Sequence, residues 1–326
     1  MPDLIITNGD AAADLLAAAG MDGRIVPWRD VLHEGPLLPS SGLRTFSDLR
    51  ARYLSARFGV PYAEARADFL VRDALLEAHE LFDRIAIWLE HDLYDQLQLL
   101  QILHFFDHER RAEGVIVVQA DDFIGTQTPA TVLRFADRAL PLTPDLARAA
   151  GSIWEAILAP TPERLVARLD DMPEALPFLR PALLRFLEEL PGARDGLSRS
   201  ERSLLAAIWP GGITPQAAFE ALLASEEAAF MGDTTAYRLL DDLAMAGAPL
   251  IEGIELPFPT RDDGHERAEY LAAPLSLTDL GRAVLDGRTD AVATRGIDRW
   301  WGGTHMTGHD SWRWDSGART LIPPRG

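Results

Sequence analysis

The chain contains neither cysteine nor lysine. Without cysteine it can form no disulfide framework, no thiolate metal site and no cysteine nucleophile. Because all 31 basic residues are arginine, a Schiff-base lysine and the lysine of a phosphate-binding loop are excluded as well. No window contains the roughly 18–20 apolar residues of a membrane-spanning helix. Residues 1–10 also lack the basic start and apolar segment of a signal peptide. We therefore expect a cytoplasmic protein that does not associate with membranes.

Several motifs that identify common enzyme classes are also missing. No G-x-G-x-x-G follows the first predicted strand, which disfavours a dinucleotide-binding hydride-transfer enzyme. The sequence has no Walker loop and no G-x-S-x-G elbow, so a P-loop ATPase and a serine hydrolase are disfavoured too. Acidic residues outnumber basic ones by 50 to 31, giving a formal net charge of −19. Since phosphate contacts need a basic face, we do not expect nucleic-acid binding.

What is present is an alternation of apolar runs and helical segments in the N-terminal part of the chain. The runs with strand character are Leu4–Thr7, Arg24–Trp28, Arg84–Leu89 and Gly114–Gln119. Helices are predicted over Ala11–Ala19, Phe46–Phe58 and Tyr62–Leu81, and after Asp92, with Asp10 as the N-cap of the first. This alternation predicts a Rossmann-like α/β domain with a mostly parallel sheet. Its predicted range is 1–140, followed by a helical bridge over 141–196.

Residues 197–326 have the pattern of a winged-helix-like domain with a tryptophan-rich tail. Three helices are predicted, the first opened by a capping box at Ser198 and the others starting at Pro215 and Asp233. Leu250–Ile254 and Tyr270–Ala272 are predicted as the two strands of a wing, and Leu277–Gly281 opens a last helix. The third helix, in the recognition position, carries one arginine against three aspartates. That charge favours a structural or protein-binding role over contact with DNA phosphates.

Polar residues follow the end of each predicted strand. They include Asp10 after the first, Arg29, Asp30, His33 and Glu34 after the second, and Glu90, His91, Asp92, Asp95 and Gln96 after the third; Asp121 and Asp122 follow the fourth. If the four strands are parallel, these groups meet at one edge of the sheet, where open α/β sheets bind ligands. The sequence therefore predicts a ligand site at this edge.

The residue types at this edge indicate its chemistry. Several carboxylates in one crevice repel each other unless a cation offsets their charge, and Mg²⁺ or Mn²⁺ prefers such oxygen ligands. The metal ligands predicted on this basis are Asp10, Asp30, Glu90 and Asp92. Arg29 would hold a phosphate or carboxylate, and the predicted catalytic bases are His91 and His33. Helix capping by the aspartates, or an internal Arg29–Asp30 ion pair, explains the same residues without a ligand.

The tail contains four tryptophans within residues 300–314. One interpretation is a folded-back lid that seals the helical part, because indole rings bury large areas. The other is a ligand-binding role, in which Gly302 and Gly303 allow close backbone approach and Arg313 and His305 bind the ligand.

Three segments carry a resemblance to a known family: Ile6–Asp10, Trp28–Pro36 and Trp88–Leu97. In this order they resemble the uncharacterised bacterial family catalogued as domain of unknown function 1835, over roughly the first 125 residues. The tail is similar to the region often attached to that domain. The family brings no established activity, so the resemblance implies no reaction.

Two hypotheses follow. The first is that the strand-end crevice binds a small polar ligand, such as a nucleotide or another phosphate ester, with or without turnover. The second is a regulatory or adaptor protein that contacts a partner protein or DNA through its C-terminal part. The sequence leaves open whether the protein is an enzyme.

Overall fold

The computed structural model describes residues 3–40, 42–260 and 264–325. By its internal contacts the chain divides into two units. The first comprises the described residues through Arg52 together with Tyr62–Leu184 and Gly302–Thr304; the second comprises Tyr53–Pro61, Arg185–Trp301 and the described residues from His305. Within the described ranges, no helix has the length and apolar character needed to span a membrane.

The first unit is built around a five-stranded sheet. Its strands are β1 (Leu4–Asn8), β2 (Arg24–Trp28), β3 (Ile85–Leu89), β4 (Val115–Gln119) and β5 (Leu140–Pro141). The strand order is β2-β1-β3-β4-β5. Strands β1 to β4 are parallel, and the short β5 runs antiparallel to β4. The predicted α/β domain with a mostly parallel sheet is confirmed. The sequence did not indicate β5, because two residues carry no periodicity.

Within the described residues, eight helices lie wholly or mainly in the first unit. They are α1 (Asp10–Ala18), α2 (Leu43–Phe58), α3 (Tyr62–Glu77), α4 (Leu93–His108), α5 (Pro129–Val132), α6 (Pro144–Ile157), α7 (Glu163–Val166) and α8 (Leu179–Leu187). Three 3₁₀ turns lie at His79–Leu81, Ile124–Thr126 and Leu133–Arg138. The final residues of α2 and α8 belong to the second unit. The predicted helix over Tyr62–Leu81 is thus one helix followed by a tighter turn.

Both faces of the sheet are covered, as continuous apolar strands require. On one face Ile5, Trp88 and Val118 pack with Leu16 of α1 and with Phe135. Since side chains alternate along a strand, the intervening residues face the other way. They too are buried, including Ile6, Ile87 and Val117, each at most 1% exposed. Trp28 lies on this second side, where its Nε1 donates to Oε1 of Gln101 of α4 at 2.9 Å.

In the part that the structure describes, the second unit is mainly helical and has three two-stranded sheets. Its helices are α9 (Arg199–Ile208), α10 (Pro215–Ala224), α11 (Asp233–Met245), α12 (Gly264–Ala272), α13 (Asp279–Leu285) and α14 (Ala291–Arg295). Its strands are β6 (Ile251–Glu252), β7 (Ser276–Leu277), β8 (Ile297–Trp301), β9 (Thr304–Gly308), β10 (Arg313–Asp315) and β11 (Thr320–Ile322), of which Thr304 falls in the first unit. The capping box at Ser198 is present as predicted.

The predicted wing strand over Tyr270–Ala272 is wrong. These residues end α12, and β6 pairs antiparallel with β7 instead. The reason is the packing of Tyr270, whose ring contacts those of Tyr237 and Phe258 and whose hydroxyl donates to Asp241 Oδ1 at 2.9 Å. The helical conformation turns the ring of Tyr270 inward while the glutamates of α12 remain exposed to water.

Candidate functional site

The strand order creates a switch point between β1 and β3. The chain passes from β1 to β2 on one side and then continues through β3 and β4 on the other side. Connections therefore leave the carboxyl ends of β1 and β3 in opposite directions. In open α/β sheets the carboxyl ends beside such a switch point are the usual ligand position. Asn8 ends β1, and Glu90 follows β3 directly.

The turn from β3 into α4 is held by its own acidic side chains. Asp92 is the N-cap of α4 and accepts from the Asp95 amide at 3.2 Å. The Asp95 carboxylate in turn accepts from the Glu90 amide at 2.7 Å. Gln96 is buried and donates from Nε2 to the Glu90 carbonyl at 2.7 Å. The capping interpretation of Asp92 is correct, and the same turn collects three carboxylates at one place.

Glu90, Asp92 and Asp95 form what we call the carboxylate cluster. All three are at least 95% buried, and one ligand atom from each lies within 4.8 Å of the others. Glu90 Oε1 accepts from the Ile124 amide at 2.6 Å, and Asn8 Nδ2 donates to Asp95 Oδ2 at 2.9 Å. These partners are neutral. In the described residues no arginine or histidine forms an ion pair with any of the three carboxylates.

Burial makes the ionised form of this cluster costly. It raises the pKa of Asp92 from its ordinary 3.8 to about 7, and the neighbouring Glu90 charge adds to the effect. Burial also raises the pKa of Glu90, although the Ile124 amide opposes the change. The pKa of Asp95 is raised well above its ordinary value by burial and by Asp92. The cluster must therefore hold protons or a cation at neutral pH.

The start of α1 follows Asn8, which donates to Asp95 of the cluster, and it supplies a different kind of group. Its N-cap is Gly9, with φ of +38° and no side-chain cap, so the prediction of Asp10 as N-cap is wrong. The Asp10 carboxylate instead accepts from Arg29 Nε at 3.1 Å, which lowers the pKa of Asp10. Arg29 also lies 3.4 Å from Asp68 of α3 and stays partly exposed. An uncapped helix start and an accessible arginine are both suited to an anion.

Residues after β2 are mainly structural. Asp30 accepts from Arg50 Nε at 2.9 Å, and both side chains have no exposed surface. The alternative Arg29–Asp30 pair is thus wrong, since each residue has another partner. Arg50 also donates to the Glu34 carbonyl at 3.0 Å. His33 is buried, with its ring edge-on to Tyr94 at a centroid distance of 6.2 Å. Burial of His33 leaves it poorly accessible to a substrate.

His91 has a more suitable environment for proton transfer. Its ring is half-buried between Phe123 and Phe178, at centroid distances of 5.3 and 5.9 Å. Burial lowers its pKa, against the opposing effect of Asp122 and Asp121. His91 Nδ1 is buried and has no hydrogen-bond partner in the described structure. The ring is therefore neutral at physiological pH and able to accept a proton.

The tail residues predicted to bind ligand have partners in their own unit. Arg313 Nη2 donates to Asp290 Oδ1 at 2.9 Å. His305 stacks on Trp300 at a centroid distance of 4.3 Å and lies 2.7 Å from Asp298. The close approach expected at Gly303 is made to protein backbone, because its amide donates to the Ile157 carbonyl at 2.8 Å. These contacts give the tail residues structural roles that require no ligand.

Of the four predicted metal ligands, the structure brings together Glu90 and Asp92, with Asp95 as the third member, whereas Asp10 and Asp30 each pair with an arginine. Sequence reasoning missed Asn8, although its position at the end of β1 was a usable signal.

No protein-family model matches the chain, and a search of the curated proteins finds no significant similarity.

Proposed function

We propose that the chain binds a divalent cation, Mg²⁺ or Mn²⁺, at the carboxylate cluster, together with a small phosphorylated ligand such as a nucleotide. The observation that carries the proposal is the burial of Glu90, Asp92 and Asp95 within 4.8 Å of one another without a basic partner in the described residues. Isolated buried carboxylates are costly unless they are neutralised. A hard cation with oxygen ligands neutralises all three at once.

The donor set fits such an ion. Mg²⁺ and Mn²⁺ prefer carboxylate oxygens, which all three members of the cluster supply, whereas Asn8 turns its amide nitrogen toward Asp95. When bound, the ion would supply charge that attracts a phosphate group. Glu90, Asp92 and Asp95 would hold it, and their backbone hydrogen bonds keep the carboxylates oriented before it arrives.

The groups next to the cluster support a phosphate as the second component. Gly9 leaves the first amides of α1 without a side-chain cap, and a Cβ at this position would meet no atom within 4 Å. Arg29 lies at the same helix start through its ion pair with Asp10. Amide donors, a helix dipole and a guanidinium together favour a dianionic group. If turnover occurs, His91 is the residue best suited to move a proton.

Isothermal titration with Mn²⁺ tests the cation site. We expect Asp92→Asn and Glu90→Gln to weaken Mn²⁺ binding more than about tenfold, because each removes one ligand charge. Asn retains the capping ability of Asp92, so the fold should survive. The control is Asp145→Asn, which removes an exposed carboxylate from the first turn of α6. Unchanged affinity in both cluster variants would refute the cation site.

A thermal-shift screen with nucleotides and sugar phosphates tests the anionic component. A ligand present at a hundredfold excess over its Kd stabilises the folded state by about 2.7 kcal/mol. We expect a shift only with Mn²⁺ or Mg²⁺ present, and its loss in Arg29→Gln but not in the control Arg148→Gln. A shift that persists in Arg29→Gln would place the anion elsewhere.

The second candidate function is an adaptor role for residues 197–326, for which we also propose winged-helix character. Support comes from α9–α11, the β6–β7 pair and α13 in the expected order. The one arginine of α11, Arg238, is 7% exposed and bonds Asp241, which argues for a protein partner over DNA. A groove of about 680 Å³ beside it carries Leu256, which is 73% exposed. A protein that co-purifies with the full chain but not with Leu256→Glu would support this role; equal recovery with both would contradict it.

The cytoplasmic location and the resemblance to the family of domain of unknown function 1835 also remain proposals. The absence of cysteine supports the first. The three segments around Asn8, Arg29 and Glu90 support the second, and two of them contribute residues to the cluster or its hydrogen bonds.

A further inference from the structure

A groove in the second unit is lined by the segment that follows β6 and by the helix α12. Its volume is about 680 Å³, within the range of about 300–1,000 Å³ found for ligand pockets. The segment after β6 contributes a run of apolar side chains, namely Ile254, Leu256, Pro257, Phe258 and Pro259. From α12 come Glu266, Glu269 and Tyr270. All of these residues belong to the same unit, so the groove is a feature of that unit alone.

Buried aromatic rings fix the base of the groove. Phe258 and Tyr270 are both buried, and their rings lie edge to face with centroids 5.1 Å apart. The Phe258 amide donates to Asp241 Oδ2 at 3.0 Å, and the Tyr270 hydroxyl donates to Oδ1 of the same carboxylate at 2.9 Å. The two sides of the groove are thus tied to one side chain of α11. A site held in this way needs little further ordering when a partner binds.

Leu256 is presented to solvent from this fixed base. Its side chain is 73% exposed, although it precedes the buried Phe258 by only two residues. Ile254 and Pro259 beside it are half-buried. Several apolar side chains next to one another on a surface mark an interaction site, whereas a single exposed leucine does not.

The rim of the groove is acidic. The exposed carboxylates among its lining residues are Glu255, Glu266 and Glu269. Glu269 also lies 3.2 Å from the exposed His265. The lining includes one arginine, Arg238, which is 7% exposed and donates to Asp241 at 3.0 Å. Three carboxylates against one internally paired guanidinium make the lining negative, so a positively charged partner is complementary to it.

This charge disfavours several other occupants. Nucleic acids and anionic lipid surfaces carry negative charge and would be repelled by the rim. A second copy of the chain has a formal net charge of −19, so self-association would bring two acidic molecules together. The lining therefore favours a basic segment of another protein.

We propose that the groove binds a peptide segment that places arginine or lysine beside a large apolar side chain, which rests on the adaptor role proposed above and names the chemistry of the partner. Leu256 and the prolines near it would cover the apolar side chain. Glu255 and Glu269 would pair with the basic ones, and these charges would also speed association at low salt.

A random-peptide phage library panned against the full chain tests this preference. We expect the selected peptides to be enriched in arginine and lysine next to leucine, isoleucine or phenylalanine. Panning against Leu256→Ser should lose this enrichment. The matched control is Leu81→Ser, which changes a leucine of the first unit that is 63% exposed. No enrichment, enrichment in acidic residues, or the same enrichment with Leu256→Ser would overturn the proposal.

Fluorescence anisotropy with the most enriched peptide measures the individual contributions. Leu256→Ser should weaken binding more than about tenfold, because the burial of one leucine side chain is lost. Glu255→Gln and Glu269→Gln should each weaken it about two- to fivefold, and more at low salt than at high salt. The control Glu113→Gln removes an exposed carboxylate from the first unit and should have no effect. Unchanged affinity in both groove glutamate variants would overturn the pairing with basic side chains.

Co-purification separates this inference from the adaptor role itself. A co-purifying protein that depends on Leu256, together with selected peptides that lack basic residues, would keep the adaptor role and overturn the basic partner. Basic peptides that depend on Leu256, without any co-purifying protein, would support the preference of the groove and contradict the adaptor role. Circular dichroism shows whether each variant is folded.

Discussion

The side-chain amide of Asn8 donates to Oδ2 of Asp95 over 2.9 Å, although 87 positions separate the two residues. This bond joins the end of β1 to the first turn of α4 across the switch point of the sheet. Because the donor is neutral, it orients Asp95 without cancelling the charge of the carboxylate cluster. This contact therefore leaves the negative charge of the three carboxylates uncompensated.

Replacing Asn8 by Asp tests this relationship. A fourth carboxylate would repel the cluster and lower the melting temperature of the cation-free protein. The same charge should strengthen Mn²⁺ binding, since affinity rises with ligand charge. Calorimetry with and without Mn²⁺ measures both effects. Asn8→Ala is the control, because it removes the amide without adding charge; a loss of Mn²⁺ affinity in Asn8→Asp would contradict the prediction.

The raised pKa of Asp92 predicts a pH-dependent stability. Its pKa is 3.8 ordinarily and about 7 in the folded protein, so the folded state binds more protons between about pH 4 and about pH 7. This contribution to the free energy of unfolding is fully present below pH 4 and is lost as the pH rises to 7. Asp92→Asn cannot ionise. Without cations it should be more stable than the parent at pH 8, by about 1–3 kcal/mol, and equal at pH 4.

Thermal melts in chelator at several pH values check this difference. The control is Asp290→Asn, which also alters a helix N-cap but removes the partner of Arg313. Since the pKa of Asp290 is lowered in the folded protein, that variant should lose stability at pH 8. If Asp92→Asn were less stable than the parent at pH 8 in chelator, the raised pKa assigned to Asp92 would be refuted.

The buried ion pair of Asp30 and Arg50 should be essential for the loop after β2. Asp30→Ala leaves the guanidinium of Arg50 buried without its carboxylate, and we expect a loss of about 3–5 kcal/mol. Urea denaturation measures it. Asp145→Ala, at an exposed ion pair, should cost less than about 1 kcal/mol. Similar costs for the two variants would contradict the buried pairing.

Gly303 should tolerate no side chain. A Cβ there would lie 2.1 Å from the Leu158 carbonyl oxygen, so Gly303→Ala must displace backbone. We expect a loss of at least about 1–3 kcal/mol, as for overpacked interiors. Gly247→Ala is the control, since a Cβ at that position meets nothing within 4 Å. Thermal melts compare the two variants. An unchanged melting temperature in Gly303→Ala would show that there is room for a side chain beside the Leu158 carbonyl oxygen.

Local patterns in the sequence were sufficient for most elements. The apolar runs at β1, β3 and β4 and the capping box at Ser198 are short-range signals, and the structure contains each of them. A helix such as α12 was misjudged because its type depends on Tyr270 packing against distant rings. Periodicity over three residues cannot separate these states.

The sequence by itself determined that cysteine and lysine chemistry are excluded and that polar groups follow four strands. It could not decide which of these groups meet. That depended on β1 lying between β2 and β3, which brings Asn8 to the carboxylate cluster, and on Arg29 and Arg50, which remove Asp10 and Asp30 from it. Capping and periodicity act within one turn of chain, whereas charge pairing and strand order involve residues far apart in sequence, so only the tertiary structure could settle them.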